Sequence, residues 1–387
     1  MAWTTPKTWA ADDLLTASDL NQYVRDNQSA LYDQLASGRR NLLHNGKFQI
    51  AQRATSVASL TTASYATADR WFQSISSLGT WTQSIENDAP TGSGFRKSFK
   101  MLCSTADASP SASDFACIVQ KIEGQNVQDV KKGTADAEKL TISFWTKSNK
   151  TGTYIVELSD SDNTRHCAKS YTVSASATWE QQTVTFPADT TGAFDNDNAE
   201  SLVVTFWLGA GTDRTSGTLA TAWASTTTAN RAVGQVNVAA SNSNYWQVTG
   251  VQLEIGDSAT PFEHKNFDTE LRECMRYYQK TYSYGVVPGT STATGMVTVM
   301  PNDSGALTRF FGNARFPVVM RGTPTVTVYS EDGSSGYISK YTDSASKITV
   351  SSASGTSDAS PFYYITTGSS GTAIPYVCHY TAVSDVA

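Results

Sequence analysis

Apolar residues alternate with Ser, Thr, Gln and Lys through much of this 387-residue chain. A spacing of two puts one face of an extended strand in a core and the other in water. "KLTISFWTKS", "GTYIVELSD", "WEQQTVTF", "SLVVTFWLG" and "YWQVTGVQLEIG" are such runs, separated by turn clusters such as "SNKTG", "SDSDN" and "DTTGAFDNDN". No helical period competes with them between residues 41 and 263, so a two-sheet sandwich is expected there. In the last run Trp246 and Val248 share one face, but Val251, Leu253 and Ile255 resume one residue out of phase. A bulge at Thr249–Gly250 reconciles the halves. After residue 282 a second β region follows, with "GMVTVMP", "FPVVMRGTPTVTVYS", "KITVSS", "PFYYITT" and "PYVCHYTAV".

Two segments break the alternation. "TASDLNQYVRDNQSALYDQLAS" reads as a helix, with Thr16 and Asp19 as a capping pair and "SGRR" as its stop. Leu20, Val24, Leu31 and Leu35 form one apolar stripe, with Tyr23 and Tyr32 beside it. At about 20 residues such a helix is marginal alone. Other copies of the chain are the simplest partner, and Asn27 inside the stripe can fix register and oligomer number. The alternative is that the helix docks on its own β domain. The second segment, residues 266–280, reads as a short helix with Phe267, Leu271, Cys274 and Tyr278 at steps of four, three and four.

Length sets a prior of two or three domains. The boundaries fall at 1–40 for an arm and helix, 41–263 for the sandwich, 264–282 for a linker helix and 283–387 for a β tip. Charged residues are 17% against roughly 25% in typical soluble domains, so hydroxyl and amide side chains carry much of the solubility. Net charge is −6 and no basic block occurs, which sets aside nucleic acid and anionic membrane as partners. No apolar run approaches the roughly 20 residues of a membrane helix. The first residues lack a signal-peptide pattern, so folding in a cytoplasm is expected. Five scattered cysteines (103, 117, 167, 274, 378) read as small buried hydrophobes.

Catalytic chemistry finds little support. The four histidines are dispersed, and neither G-x-S-x-G nor H-E-x-x-H occurs. Asp160 with Asp162, and Asp195 with Asp197, sit in turns where Asp is routine. A non-enzyme without a cofactor is expected. Asp189, Asp195, Asp197 and Glu200 form an oxygen-rich loop that can hold Ca²⁺, although turn chemistry explains the same letters.

The opening "W-T-x-P-x-T-W … D-x-L-T-A-S-D-L-N-x-Y-V-R-D-N" resembles the amino-terminal segment of tailed-bacteriophage tail proteins. "NLLHNGKFQIAQRA", "ADRWFQ", "GTYIVELSD", "FPADTTGAFDNDN" and "TGVQLEIGDSATPFEHKNF…ELRECMRYYQKTY" resemble the sandwich domain of marine-phage tail fibre proteins, which is similar to the jelly rolls of carbohydrate-binding modules. "VCHYTA" is similar to fibre tip endings. This resemblance implies an elongated, mainly β homotrimer: an arm and helix at the virion end, a jelly-roll-like sandwich, a short axial helix and a distal β knob. Trp3 and Trp9 would then anchor the arm on other tail proteins, in the adaptor or nozzle region. Leu20, Val24, Asn27 and Leu31, with Phe267, Leu271, Cys274 and Tyr278, would line the trimer axis; the alternative for the second helix is a position across the base of the sandwich. The tip would meet a host glycan or outer-membrane receptor. Aromatic faces beside short polar groups suit a glycan, which singles out Tyr329, Asp332, Tyr337 and Tyr341. Phe362, Tyr363 and Tyr364 are alternatives that packing explains better. Three other readings stay open: a fibre-borne polysaccharide depolymerase, a structural tail protein without receptor contact, and a secreted carbohydrate-binding module or adhesin.

Overall fold

The alternating runs close into two six-stranded sheets. The computed structural model describes residues 7–28, 39–301, 308–312, 314–362, 364–368 and 374–386. The first module's strands are β1 (Ser56–Leu60), β2 (Phe72–Ser76), β3 (Thr80–Glu86), β4 (Ser98–Thr105), β5 (Phe115–Glu123), β6 (Leu140–Ser148), β7 (Gly152–Asp160), β8 (Arg165–Val173), β9 (Glu180–Phe186), β10 (Glu200–Ala210), β11 (Ala224–Ser225) and β12 (Tyr245–Ile255). One sheet runs β1-β3-β4-β12-β6-β9 and the other β11-β8-β7-β10-β5-β2. Their inner faces share one aromatic core: Phe206 lies 5.1 Å from Phe144 and 5.4 Å from Trp246, and Phe48 lies 5.1 Å from Trp71. Edge-to-face and tilted pairs of this kind add to the burial term. The protein is mainly β, with a two-sheet sandwich as its larger module.

The expected bulge is present. Pairing of β12 with β6 shifts between Thr249 and Gln252, and Gly250 has φ +63°. A Cβ at Gly250 would also stand 2.5 Å from the Phe95 ring. Both conformation and space therefore require glycine here. The five cysteines are all buried and unpaired.

The second module has β13 (Tyr278–Lys280), β14 (Val297–Pro301), β15 (Arg309–Phe311), β16 (Thr325–Tyr329), β17 (Tyr337–Lys340), β18 (Asp343–Ser354), β19 (Tyr364–Thr367) and β20 (Tyr376–Val383). β20 organises it, pairing with β13, β14, β16 and β17. Val299, Phe310, Phe362, Ile365, Cys378 and Ala382 are fully buried in its core.

Helices are few and short. The capping pair holds: Asp19 N donates to Thr16 Oγ1 at 3.1 Å, and Thr16 N to Asp19 Oδ2 at 3.2 Å. α1 (Ala17–Asp19) then continues as a π-helical run over Leu20–Asp26, and residues 29–38 lie outside the described residues. α2 (Phe267–Met275) ends five residues before the expected 280, and Tyr278 already belongs to a strand.

The placement of α2 corrects the axial seam. Glu270 accepts from the Asn45 amide at 2.7 Å, and Glu273 meets His44 Nδ1 at 3.1 Å and Lys265 Nζ at 2.9 Å. The helix therefore turns its acidic side to its own sandwich. Cys274 is fully buried and Tyr278 nearly so, beneath the Arg53 guanidinium at 4.0 Å. Neither is available to a neighbouring copy. Leu271 is half-buried, while Phe267 is exposed beside Tyr284.

Burial pushes the His44 imidazole down to about 4. Its folded value lies below the ordinary 6.5 or so, so this stabilisation is complete above that pH and is lost as pH falls towards 4. Burial raises Glu273, but the His44 hydrogen bond and then Lys265 outweigh it and hold the carboxyl at about 2; its share is lost only below about 4.5. Denaturant unfolding at pH 7 and at pH 4 should therefore differ by about 3 kcal/mol through His44. In His44→Gln that drop should largely vanish.

Candidate functional site

The arm comes first in the chain and is the least covered part. Trp9 rests edge-on against Tyr23 at 6.3 Å with Lys7 Nζ 4.3 Å from its ring, so the arm folds on its own helical turn. Leu20 and Val24 are each 44% exposed, whereas Asn27 is buried and donates to the Tyr23 carbonyl. Trp3 and Leu31 lie outside the described residues.

In the tip, the turn between β16 and β17 brings Asp332 and Tyr337 together through Lys347. The lysine donates to Asp332 at 2.6 Å and stands 5.1 Å from the Tyr337 ring. That bond, with Ser330 and Ser334, holds the Asp332 carboxyl below the usual carboxylate range. Tyr329 instead packs against Tyr282 at 5.9 Å, and Tyr341, 65% exposed, stands at the other end of β17. The four expected residues therefore do not form one site.

In the oxygen-rich loop Asp189 already faces cations of the chain itself. The Lys132 ammonium sits where a cation would: it bonds Asp160, lies 3.0 Å from Asp189, and donates to the carbonyls of Thr191 and Gly192 at 3.0 and 2.7 Å. Burial raises Asp189, but Arg165 and Lys132 outweigh it and lower its carboxyl. Asp195 engages through its backbone, Asp197 caps the Ala199 amide, and Glu200 pairs with Lys121. Among the described residues no three acidic, histidine or cysteine side chains group around a metal position.

The two outer faces of the sandwich differ, which the sequence reading missed. Segment 211–240 covers part of the second sheet's outer face. Beneath it Glu157 is fully buried, accepting from both Arg231 Nε and Nη2, from Trp207 Nε1 at 3.0 Å and meeting His166 Nδ1 at 2.9 Å. Burial raises Glu157, but His166 and Arg231 outweigh it and keep the carboxylate low. The one available signal was a charged residue inside "IVELSD". On the first sheet's outer face, Trp145 lies between Gln181 and Thr249 in register. One row away Asp88 gathers Lys147 at 2.9 Å, Gln247 at 3.2 Å and Trp179 Nε1 at 3.3 Å, and Lys100 stands 4.8 Å from the Tyr245 ring. Trp145, Trp179 and Tyr245 are each half-buried. Such rings, flanked by fixed donors and acceptors, can stack on the apolar face of a sugar ring and bond its hydroxyls.

No family model and no curated protein matches the chain. Among solved structures it is similar to the enzymatically active domain of tailspike protein 4 of bacteriophage CBA120, at 13% identity and TM-score 0.30, over 56% of this chain and 21% of that one. The chain thus spans about a fifth of that structure. A family 11 carbohydrate-binding module of Clostridium thermocellum, in complex with a mixed-linked tetrasaccharide, matches at 11% identity and TM-score 0.28, over 55% of this chain and 99% of its own. A family 4 module matches at 14% identity and TM-score 0.27, over 55% and 97%. What each binds or cleaves is a property of that protein.

Lys132 provides a direct test of the loop chemistry. Lys132→Met should cost about 3–5 kcal/mol, because it strands buried carboxylates without their cation. Chelator or added Ca²⁺ should leave the melting temperature of the native protein unchanged. A fall on adding chelator would show that a metal, and not Lys132, holds these loops.

Proposed function

We propose that this protein is a tail fibre of a tailed phage, of the marine-phage type, that docks on other tail proteins by its arm and binds a host-surface glycan through its β modules without cleaving it. The observation that carries the reading is the arm. No residue from 7 to 26 is buried, and Leu14 (82%), Leu15 (54%), Leu20 and Val24 stand in water. The sandwich has its own complete core, so these apolar residues do nothing for its folding. They gain free energy only by meeting another surface. Over residues 7–26, docking of the helix back on its own sandwich, the alternative reading of that stripe, finds no support in this exposure; Leu31 and Leu35 lie outside the described residues. In a homotrimer Leu20 and Val24 would face their counterparts, while Asn27, buried within its own chain and bonded to the Tyr23 carbonyl, would not take part in that contact. The open aromatic face around Trp145 and Trp179 supports glycan contact.

Deleting residues 1–15 should leave the melting temperature unchanged and abolish incorporation into phage particles. Particles that still carry the truncated chain would refute the anchoring role. Light scattering should give the mass of three copies for the native protein and of one copy for Leu20→Asp/Val24→Asp; a monomeric native mass rules out the trimer. Incubation with host polysaccharide should release no reducing ends, since release would make the protein a depolymerase.

A further inference from the structure

The tip module has a second aromatic surface that its own core does not use. On β14, β15 and β19 the residues Val299, Phe310 and Ile365 point into the core and are fully buried. The alternate positions lie on the opposite face. There Met300 is register partner of Phe311, and Phe311 of Tyr364, so the three side chains form a row across adjacent strands about 5 Å apart. Met300 is 54% exposed, and the Phe311 and Tyr364 rings are half-buried with centroids 5.9 Å apart. Arg309, paired with Thr366 on the same face, holds its guanidinium 5.5 Å from the Tyr364 ring. It is exposed and forms no ion pair among the described residues.

This combination has a definite chemistry. Two rings, inclined to each other by 54°, and a thioether offer an apolar strip on which one ring at a time can stack against a sugar face. A guanidinium lying over a ring keeps its N–H edge free, and that edge matches a carboxylate with two parallel bonds. We propose that the outer face of β14, β15 and β19 is a binding site for a carboxylate-bearing saccharide, with Phe311 and Tyr364 as the stacking platform and Arg309 as the anion contact. The proposal rests on the reading of this protein as a glycan-binding fibre and names the class of glycan. The charge pattern supports it. The chain carries net −6, so a cation with no carboxylate partner among the described residues, set on an aromatic strip, marks a local preference, effective within a Debye length of about 8–10 Å. A second copy of the chain is the competing occupant.

The test uses the full chain, a hexamer of galacturonic acid, and the same hexamer with its carboxylates methyl-esterified. Calorimetric titration should show the acid form binding about tenfold tighter or more, the size of one charge-assisted contact. Arg309→Gln should bring the acid down to the level of the ester and leave the ester unchanged. Arg309→Lys should restore part of the preference, and Tyr364→Ala should weaken both ligands, all at unchanged melting temperature. Equal binding of the two hexamers, binding of neither, or a preference that survives Arg309→Gln would each overturn the site. A drop in oligomer mass with Tyr364→Ala would also overturn it, by making the face a contact between copies. These outcomes are separate from the fate of the fibre reading, which stands or falls on particle incorporation of the arm deletion.

Discussion

The arrangement of the two β modules depends on one buried carboxylate. Glu123, at the end of β5, is fully buried and accepts from Arg276 Nε and Nη2 at 2.9 and 2.8 Å and from the Tyr277 hydroxyl at 2.5 Å. The Arg70 guanidinium lies 3.5 Å from the Tyr277 ring and donates to the Lys121 carbonyl. A buried ion pair is costly to form, but it is costlier to leave half-made, so these groups fix where α2 ends and β13 begins. The chain terminus closes the same joint from the other side. Arg53 pairs with Asp385 at 2.5 Å, and Arg321 donates to the carbonyls of Asn198, Ser384 and Asp385. Lys280, with its ammonium on the carbonyls of Gln52, Tyr284 and Val286, ties the first residues of the second module to the sandwich. The joint is thus made mostly of directional polar bonds, which set an orientation more sharply than apolar contact does.

That joint also decides which surfaces remain for partners. The base of the sandwich is occupied by α2 and the second module, and segment 211–240 lies over part of the second sheet. The first sheet keeps an outer face with half-buried rings, and the tip keeps the row from Met300 to Tyr364. Both are sheet faces and not loop tips. A rigid sheet presents side chains at fixed spacing, so a ligand binds without ordering the protein first. Each such contact would be weak alone, and in the proposed trimer several copies would make up the difference through effective concentration.

Local pattern made much of the fold legible. Gly152–Asp160 and Glu200–Ala210 read as strands because β-branched and aromatic residues sit between turn clusters, and the phase slip at Thr249–Gly250 announced the bulge. The joint was not legible in this way. Glu270 and Glu273 look like the solvent side of an amphipathic helix, yet their partners Asn45, His44 and Lys47 lie over two hundred residues earlier. Periodicity weighs side chains by polarity and has no access to a partner that distant. The same blindness hid Lys132: the acidic loop suggested an ion to be supplied from outside, and the chain supplies one of its own. In the tip, "PFYYITT" hid two roles two letters apart, with Phe362 in the core and Tyr364 half-buried on the opposite face.

The low charge content acquires a structural meaning from this. Lys132, Arg231, Arg276, Lys47 and Lys280 are each held against buried carboxylates or carbonyls. Charges used in this way are staples inside the fold, and the outer sheet faces carry hydroxyls, amides and rings with scattered charges such as Asp88, Lys147 and Lys100 between them. A surface of that kind is weakly hydrated compared with one of lysine and glutamate, and so costs less to bring against a sugar. It also makes each exposed charge count. An arginine on an aromatic strip, with no carboxylate beside it among the described residues, would then discriminate between ligands more than it would on an ordinary surface crowded with ion pairs.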